Sequence, residues 1–232
     1  MFISNFRLKS AVQKATVFAR RTSDYSAMHP YREMERQALL DTASFIQAEM
    51  PDALAFDTPR GLLSHALKIA PKAGLVAEFG VNAGGTARFI ARALPDRTLH
   101  GFDSFEGLPQ DWSGNNMAAG YFSRRGRLPR LPGNVVLHPG WFDDTVPPFA
   151  AAHPEPVAFL HIDCDLYSST RTILEHLGPR IGTGSVLVFD EYFNYPNWRA
   201  HEHRALREFV EATGRSFRYF GYAFRQAGVV FA

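Results

Sequence analysis

The sequence predicts a doubly wound α/β fold, a mostly parallel sheet with helices on both faces. Three observations carry that expectation. From Leu75 onward, short apolar runs alternate with stretches of helical periodicity, the pattern of parallel strands joined by crossover helices. The first run, Leu75–Phe79, breaks into Gly80-Val81-Asn82-Ala83-Gly84-Gly85-Thr86, a glycine turn ahead of a helix whose first N–H groups lie free. The last two runs, Arg218–Tyr222 and Gln226–Phe231, have no helix between them, so they should pair as an antiparallel hairpin at one edge.

The first sixty residues carry no strand signal. Apolar residues recur at helical spacing through Ala11–Ala19 and Met34–Met50, punctuated by Pro30 and Pro51. Residues 1–57 are therefore expected to form a helical lid or oligomerisation arm, with one main domain over 58–232. Arg7, Lys9, Lys14, Arg20 and Arg21 precede the first acid. That opening lacks the continuous apolar core of a secretion signal and reads as a basic amphipathic helix.

Thr58-Pro59 starts a helix well, as N-cap and first-turn proline, and that helix should run through Ile69. Seven strands are expected: Leu75–Phe79, Thr98–Phe102, Val135–His138, Val157–Ile162, Ser185–Phe189 and the two hairpin runs. Helices should cover Gly85–Ala93, Thr145–Ala152, Ser169–His176 and Ala200–Thr213, with Ser113–Pro132 as a long irregular loop.

Composition narrows the classes. Hydrophobic residues make up 46% and charged residues 21% of 232, enough for a full core. A net charge of +2 argues against a nucleic-acid partner. The single cysteine, Cys164, excludes an intrachain disulfide and fits a reducing, cytoplasmic setting. No apolar run approaches the ~20 residues of a membrane helix.

Ligands of a doubly wound sheet bind at the carboxyl ends of its strands, so the candidate site residues lie there. Glu78 stands just before the turn that offers Gly80, Asn82 and Gly84. The spacing is G-x-x-x-G-G, not the G-x-G-x-x-G of a dinucleotide fold. An acid there repels phosphate and suits a cation, such as the ammonium or sulfonium of S-adenosylmethionine. Asp103-Ser104 ends the second strand, about twenty residues past the turn, where a carboxylate can take both ribose hydroxyls or serve as a turn residue. Trp141 and Phe142 follow the third strand and can cover an adenine face or join the core. Asp143 or Asp144 can cap the next helix.

The fourth strand ends in His161-Ile162-Asp163-Cys164-Asp165 and the fifth in Asp190-Glu191. These strands should be neighbours, so four carboxylates converge. A cation resolves such crowding, and all-oxygen ligands point to Mg²⁺ or a similar hard ion. His161 shares a strand face with Asp163 but lies deeper; it reads as a satisfied core histidine. Cys164, between two acids, should have a raised pKa and make a poor nucleophile. Arg124, Arg125, Arg127 and Arg130 can gate the site or stay solvated, while Asn194, Tyr195, Asn197, Trp198 and His201 can line an acceptor pocket.

Glu78-Phe79-Gly80-Val81, Phe102-Asp103-Ser104-Phe105-Glu106-Gly107-Leu108-Pro109, His161-Ile162-Asp163-Cys164-Asp165-Leu166-Tyr167 and Phe189-Asp190-Glu191-Tyr192 together resemble the macrocin O-methyltransferase family. These are class I S-adenosylmethionine-dependent enzymes with a Rossmann-like sheet. The resemblance covers about Thr58 to Ala232 and implies seven strands, the last antiparallel. It implies Mg²⁺ on Asp163, Asp190 and Glu191, and Asp165 as general base. It implies a small-molecule hydroxyl acceptor such as a sugar, and we expect a homo-oligomer through the N-terminal helices. The chain has Glu191 where the family usually has a second aspartate. A metal-independent methyltransferase, or a catalytically silent binding protein on the same scaffold, stands as the alternative.

Overall fold

The computed structural model describes residues 28–232. The expected helix at Ala11–Ala19 and the basic opening segment lie outside the described residues. Helix α1 (Pro30–Glu49) is followed by β1 (Leu54–Ala55), α2 (Pro59–Ile69), β2 (Leu75–Phe79), α3 (Gly85–Ala93), β3 (Leu99–Asp103) and β4 (Val135–Pro139). Then come α4 (Phe142–Ala152), β5 (Val157–Ile162), α5 (Tyr167–Leu177), β6 (Val186–Phe189), α6 (Glu202–Thr213), β7 (Phe217–Ala223) and β8 (Gln226–Phe231).

The strands form one sheet in the order β1-β7-β8-β6-β5-β2-β3-β4. Every pairing is parallel except those of β8 with β6 and β7. The seven expected strands are all present, and β5 and β6 are neighbours as the sequence implied. An eighth strand, β1, adds two residues beside β7. It is too short to carry a period-2 signal, so the hairpin lies one strand in from that edge.

Strand β2 is buried along its whole length, as a central parallel strand must be. One side packs Phe79, Phe102, Leu160 and Leu187 with residues of α1, α4, α5 and α6. The other packs Val76, Phe159 and Val188 against α2 and α3. The Thr58 side chain accepts from the Gly61 N–H at 3.1 Å and caps α2, as its Thr-Pro start predicts.

Three helix starts differ from expectation, α5 by beginning at Tyr167 rather than Ser169. Helix α4 starts at Phe142, three residues before Thr145, because the Trp141 carbonyl accepts from both Asp144 N and Thr145 N. Asp143 and Asp144 therefore lie inside its first turn, where their charge complements the helix dipole. Helix α6 begins at Glu202 after a short 3₁₀ turn at Trp198–Ala200.

Helix α1 is anchored onto the segment after β6. Phe45 sits among Tyr192, Phe193, Trp198 and His203, the Thr42 hydroxyl accepts from Asn194 N at 2.9 Å, and Asp41 pairs with Arg199. Its first turn reaches the long loop, where the Tyr31 hydroxyl donates to Gly114 O at 3.1 Å. No helix among the described residues is long and apolar enough to cross a membrane.

Candidate active site

The carboxyl ends of β2, β3, β5 and β6 open into one cavity of about 540 Å³. Gly80, Asn82, Asp103 and Ser104 line its first side; Trp141 and Phe142 line the second. Asp163, Asp165, Asp190 and Glu191 form the third. Ten of the predicted residues thus meet around a single space, although they come from separate strand ends.

The turn after β2 is tied to its neighbours. Gly80 adopts φ +101°, and a Cβ there would overlap the carbonyl oxygen of Asp163, so only glycine lets β2 and β5 approach so closely. Asn82 also has positive φ, and its N–H donates to Asp103 Oδ2 at 2.6 Å. The other oxygen, Oδ1, accepts from Phe105 N at 2.6 Å. Each carboxylate oxygen keeps a second lone pair, so Asp103 is oriented and still able to accept.

Two residues of the turn stand apart from the cavity wall. Gly84, with φ +75°, begins α3 and lets Leu131 and Pro129 of the long loop pack against the turn. Glu78 is fully buried beneath the floor. Its Oε1 meets His161 Nδ1 at 3.3 Å and its Oε2 has no partner. Burial pushes its pKa up, partly offset by His161.

The two aromatics divide the readings left open by the sequence. Trp141 is 40% exposed at the cavity rim. Phe142 lines the cavity while packing edge-on against Phe79. Asp143 also lines the cavity and is held by the Thr172 hydroxyl at 2.7 Å, a role that helix capping had hidden in the sequence.

The acidic side is strongly perturbed. Burial, then the Asp190 charge, raises Asp163 well above the usual carboxylate range. Burial and Asp190 push Asp165 up to about 7, with Arg225 opposing. The same two causes push Glu191 to about 8. Asp165 holds φ +67°, a conformation costing a non-glycine residue about 1 kcal/mol or more and concentrated at functional sites. Burial raises Cys164 well above the thiol range, as its acidic flanks suggested.

His161 needs correction. It is buried as expected, yet not satisfied, because Nε2 has no hydrogen-bond partner and lies 3.6 Å from Asp190 Oδ1. Ligand atoms of His161, Asp163 and Asp190 all fall within 4.8 Å of one another. Two hard oxygens there fit Mg²⁺, the imidazole being the softer donor. Glu191 does not join that group. Its Oε2 meets Arg225 Nη1 at 3.3 Å, so the longer side chain finds a counter-ion within the protein.

Arg225, Gln226 and Glu202 were not read from the sequence as site residues. Gln226 Nε2 donates to Asp190 Oδ1. Glu202 is fully buried, accepts from Glu191 N at 3.0 Å and is pushed well up by burial. The expected acceptor wall after β6 is not realised. Tyr195 and Trp198 are buried in an aromatic cluster, and none of Asn194, Tyr195, Asn197, Trp198 and His201 lines the cavity. The long loop contributes Phe122 instead, and the segment just before it contributes Leu108, Pro109 and Gln110; the loop's four arginines do not line the cavity.

A doubly wound sheet with an acidic centre at this point defines a class, and comparison with known proteins identifies it. The profile of the Methyltransferase domain family matches residues 77–192, and the chain belongs to that family. This bears out the resemblance drawn from the motifs. The chain is 31% identical over 157 residues to mycinamicin III 3''-O-methyltransferase of Micromonospora griseorubida, covering 56% of this chain and 61% of that one. It is 32% identical over 147 residues to demethyldecarbamoylnovobiocin O-methyltransferase of Streptomyces niveus, covering 53% and 54%. The matches thus span little more than half of these relatives. The calicheamicin methyltransferase CalS11 superposes with a TM-score of 0.57 at 26% identity, over 73% of this chain and 77% of that one. The O-methyltransferase NovP, at 24% identity and a TM-score of 0.53 over 73% and 78%, shares the fold.

Proposed function

We propose that the protein is an S-adenosylmethionine-dependent O-methyltransferase that methylates a hydroxyl of a small sugar-bearing or related natural-product acceptor, with Mg²⁺ at its acidic centre. The observation that carries this reading is the meeting of Asp163, Asp165 and Asp190 with Gly80, Asn82 and Asp103 around one cavity. Both curated relatives are O-methyltransferases by name.

S-adenosylmethionine supplies an activated methyl group, and Mg²⁺ polarises an oxygen and lowers the pKa of a bound hydroxyl. The chain's own residues do the rest. Asp103, oriented by two main-chain N–H groups, would accept from ribose. Trp141 and Phe142, with Asp143, would take the adenine. Asp163 and the buried Glu78 would give the methionine ammonium negative surroundings. Asp163 and Asp190 would hold the cation. Asp165 takes the acceptor proton, and a base with pKa about 7 is better matched to neutral pH than an ordinary aspartate. Holding the acceptor oxygen in line with the S–CH₃ bond contributes several kcal/mol, by the usual order of magnitude.

Helix α1, tied to the long loop by Tyr31 and to the post-β6 segment by Phe45, is the lid of this reading. Assembly of copies through the N-terminal helical region and a cytoplasmic setting belong to it as well. Calorimetry with S-adenosylhomocysteine against NAD(H) tests the cofactor; binding of NAD(H) alone would overturn the proposal. One observation favours a second reading, metal-independent transfer. Arg225 already places a positive charge 3.3 Å from Glu191. Chelation with EDTA separates the two.

A further inference from the structure

We propose that His161 is a positioning residue that joins the cofactor side of the cavity to its acidic side, so that S-adenosylmethionine and a divalent cation bind cooperatively. The inference rests on the function proposed above and adds to it a coupling between the two subsites.

The sheet register builds the connection. Glu78 on β2 is paired with His161 on β5, and His161 with Val188 on β6. Asp190 lies two residues past Val188, so strand alternation directs all three side chains to one face. The imidazole stands between two carboxylates, with Nδ1 3.3 Å from Glu78 Oε1 and Nε2 3.6 Å from Asp190 Oδ1. Gln226, on β8, donates to that same Asp190 oxygen. A polar row of Glu78, His161, Asp190 and Gln226 thus crosses four strands through the centre of the sheet.

Three atoms of this row are unsatisfied. Glu78 Oε2, His161 Nε2 and Gln226 Oε1 are buried with no hydrogen-bond partner, and the ring is 1% exposed. A buried polar atom left unpaired is costly, a cost that a merely space-filling side chain would avoid. The 3.6 Å gap at Nε2 is just beyond a hydrogen bond. A few tenths of an ångström at Asp190 close or open it. A cation drawing on Asp190 and an ammonium drawing on Glu78 therefore act on the two edges of one rigid ring. Whatever position one ligand sets, the other ligand's carboxylate experiences. Linkage then requires each to change the other's affinity by the same factor.

The test is calorimetry of S-adenosylhomocysteine binding to the full chain with and without Mg²⁺, in wild type and in two single-sided variants. His161→Asn retains an amide near the Nδ1 position and loses reach towards Asp190; His161→Gln does the reverse. Wild type should bind S-adenosylhomocysteine about tenfold more tightly with Mg²⁺, within the usual range of site coupling, and each variant should reduce that ratio to about twofold or less. A purely structural histidine would shift both affinities and leave their ratio intact, which overturns the inference. Failure of wild type to bind S-adenosylhomocysteine at all would overturn the proposed function together with this inference. Should both variants fail to fold, ¹⁵N-imidazole spectra of wild type decide. The slowly exchanging buried ring should move on adding Mg²⁺ alone and on adding S-adenosylhomocysteine alone, and a ring that answers to only one ligand overturns the coupling.

Discussion

Gly80 and Asp163 are packed so closely that a Cβ on the glycine would overlap the aspartate's carbonyl oxygen. The glycine turn and the acidic strand tip are therefore one unit, held further by the Asp163 N–H donating to Phe79 O at 2.8 Å. Gly80→Ala must displace that backbone and hold φ near +101°. The expected cost is about 2–5 kcal/mol from overpacking and strain together. A thermal melt should fall by about 5–15 °C for a chain of this size; a melt within about a degree of wild type would mean the turn moves freely.

Asp165→Asn keeps the side-chain shape, and asparagine tolerates the left-handed φ of +67° found there. The fold should survive while the proton acceptor is lost. Methyl transfer should drop by about a hundredfold or more, with S-adenosylhomocysteine affinity held within about twofold. A large loss of affinity would make Asp165 a binding residue instead.

The raised carboxylates predict how stability depends on pH. Asp165 at about 7 and Glu191 at about 8 keep protons in the folded state that the unfolded chain has released at about 4. That contribution is complete below about pH 4 and is lost as pH rises through 7 to 8. The melting temperature of the cation-free protein should therefore decline from about pH 5 to about pH 8. Mg²⁺ binds the deprotonated form and should restore more stability at the upper end than at the lower. Scanning fluorimetry at both ends checks this; a flat profile indifferent to Mg²⁺ counts against a cation site.

Much of this site was legible in the sequence because it is built from strand ends. Strand position is set by apolar periodicity, and the residue after each strand end follows directly. That is how Asp103, Asp163 and Asp190 could be placed on one rim. What escaped was whatever depends on packing across elements. Arg225 and Gln226 come from the β7–β8 hairpin and reach the site only because β8 inserts beside β6. His161 was read as satisfied because strand alternation reveals a face and not a missing partner. The segment after β6 was expected to line an acceptor pocket, yet its aromatics turn inward to receive Phe45 of α1. Strand β1, two residues long, offers no period to read.

Phe45 is the largest of the buried side chains of helix α1. Phe45→Ala removes contacts with Tyr192, Trp198 and His203 and should cost about 3–5 kcal/mol, as for other buried aromatics. Because α1 precedes the sheet, the loss should appear as local release. Hydrogen exchange should speed up through Pro30–Glu49 while β2 and β5 stay protected. Uniform destabilisation of helix and sheet alike would rule out a separable lid.

In the proposed reaction, acidic tips of adjacent strands hold a cation beside a sulfonium donor and so make a neighbouring alcohol reactive. Transfer of labelled methyl from S-adenosylmethionine to a panel of glycosides, run with Mg²⁺, after chelation and after Mg²⁺ is restored, tests it most directly. O-methylated product should form, disappear with EDTA and return with the metal. Product formed at the same rate throughout would contradict it.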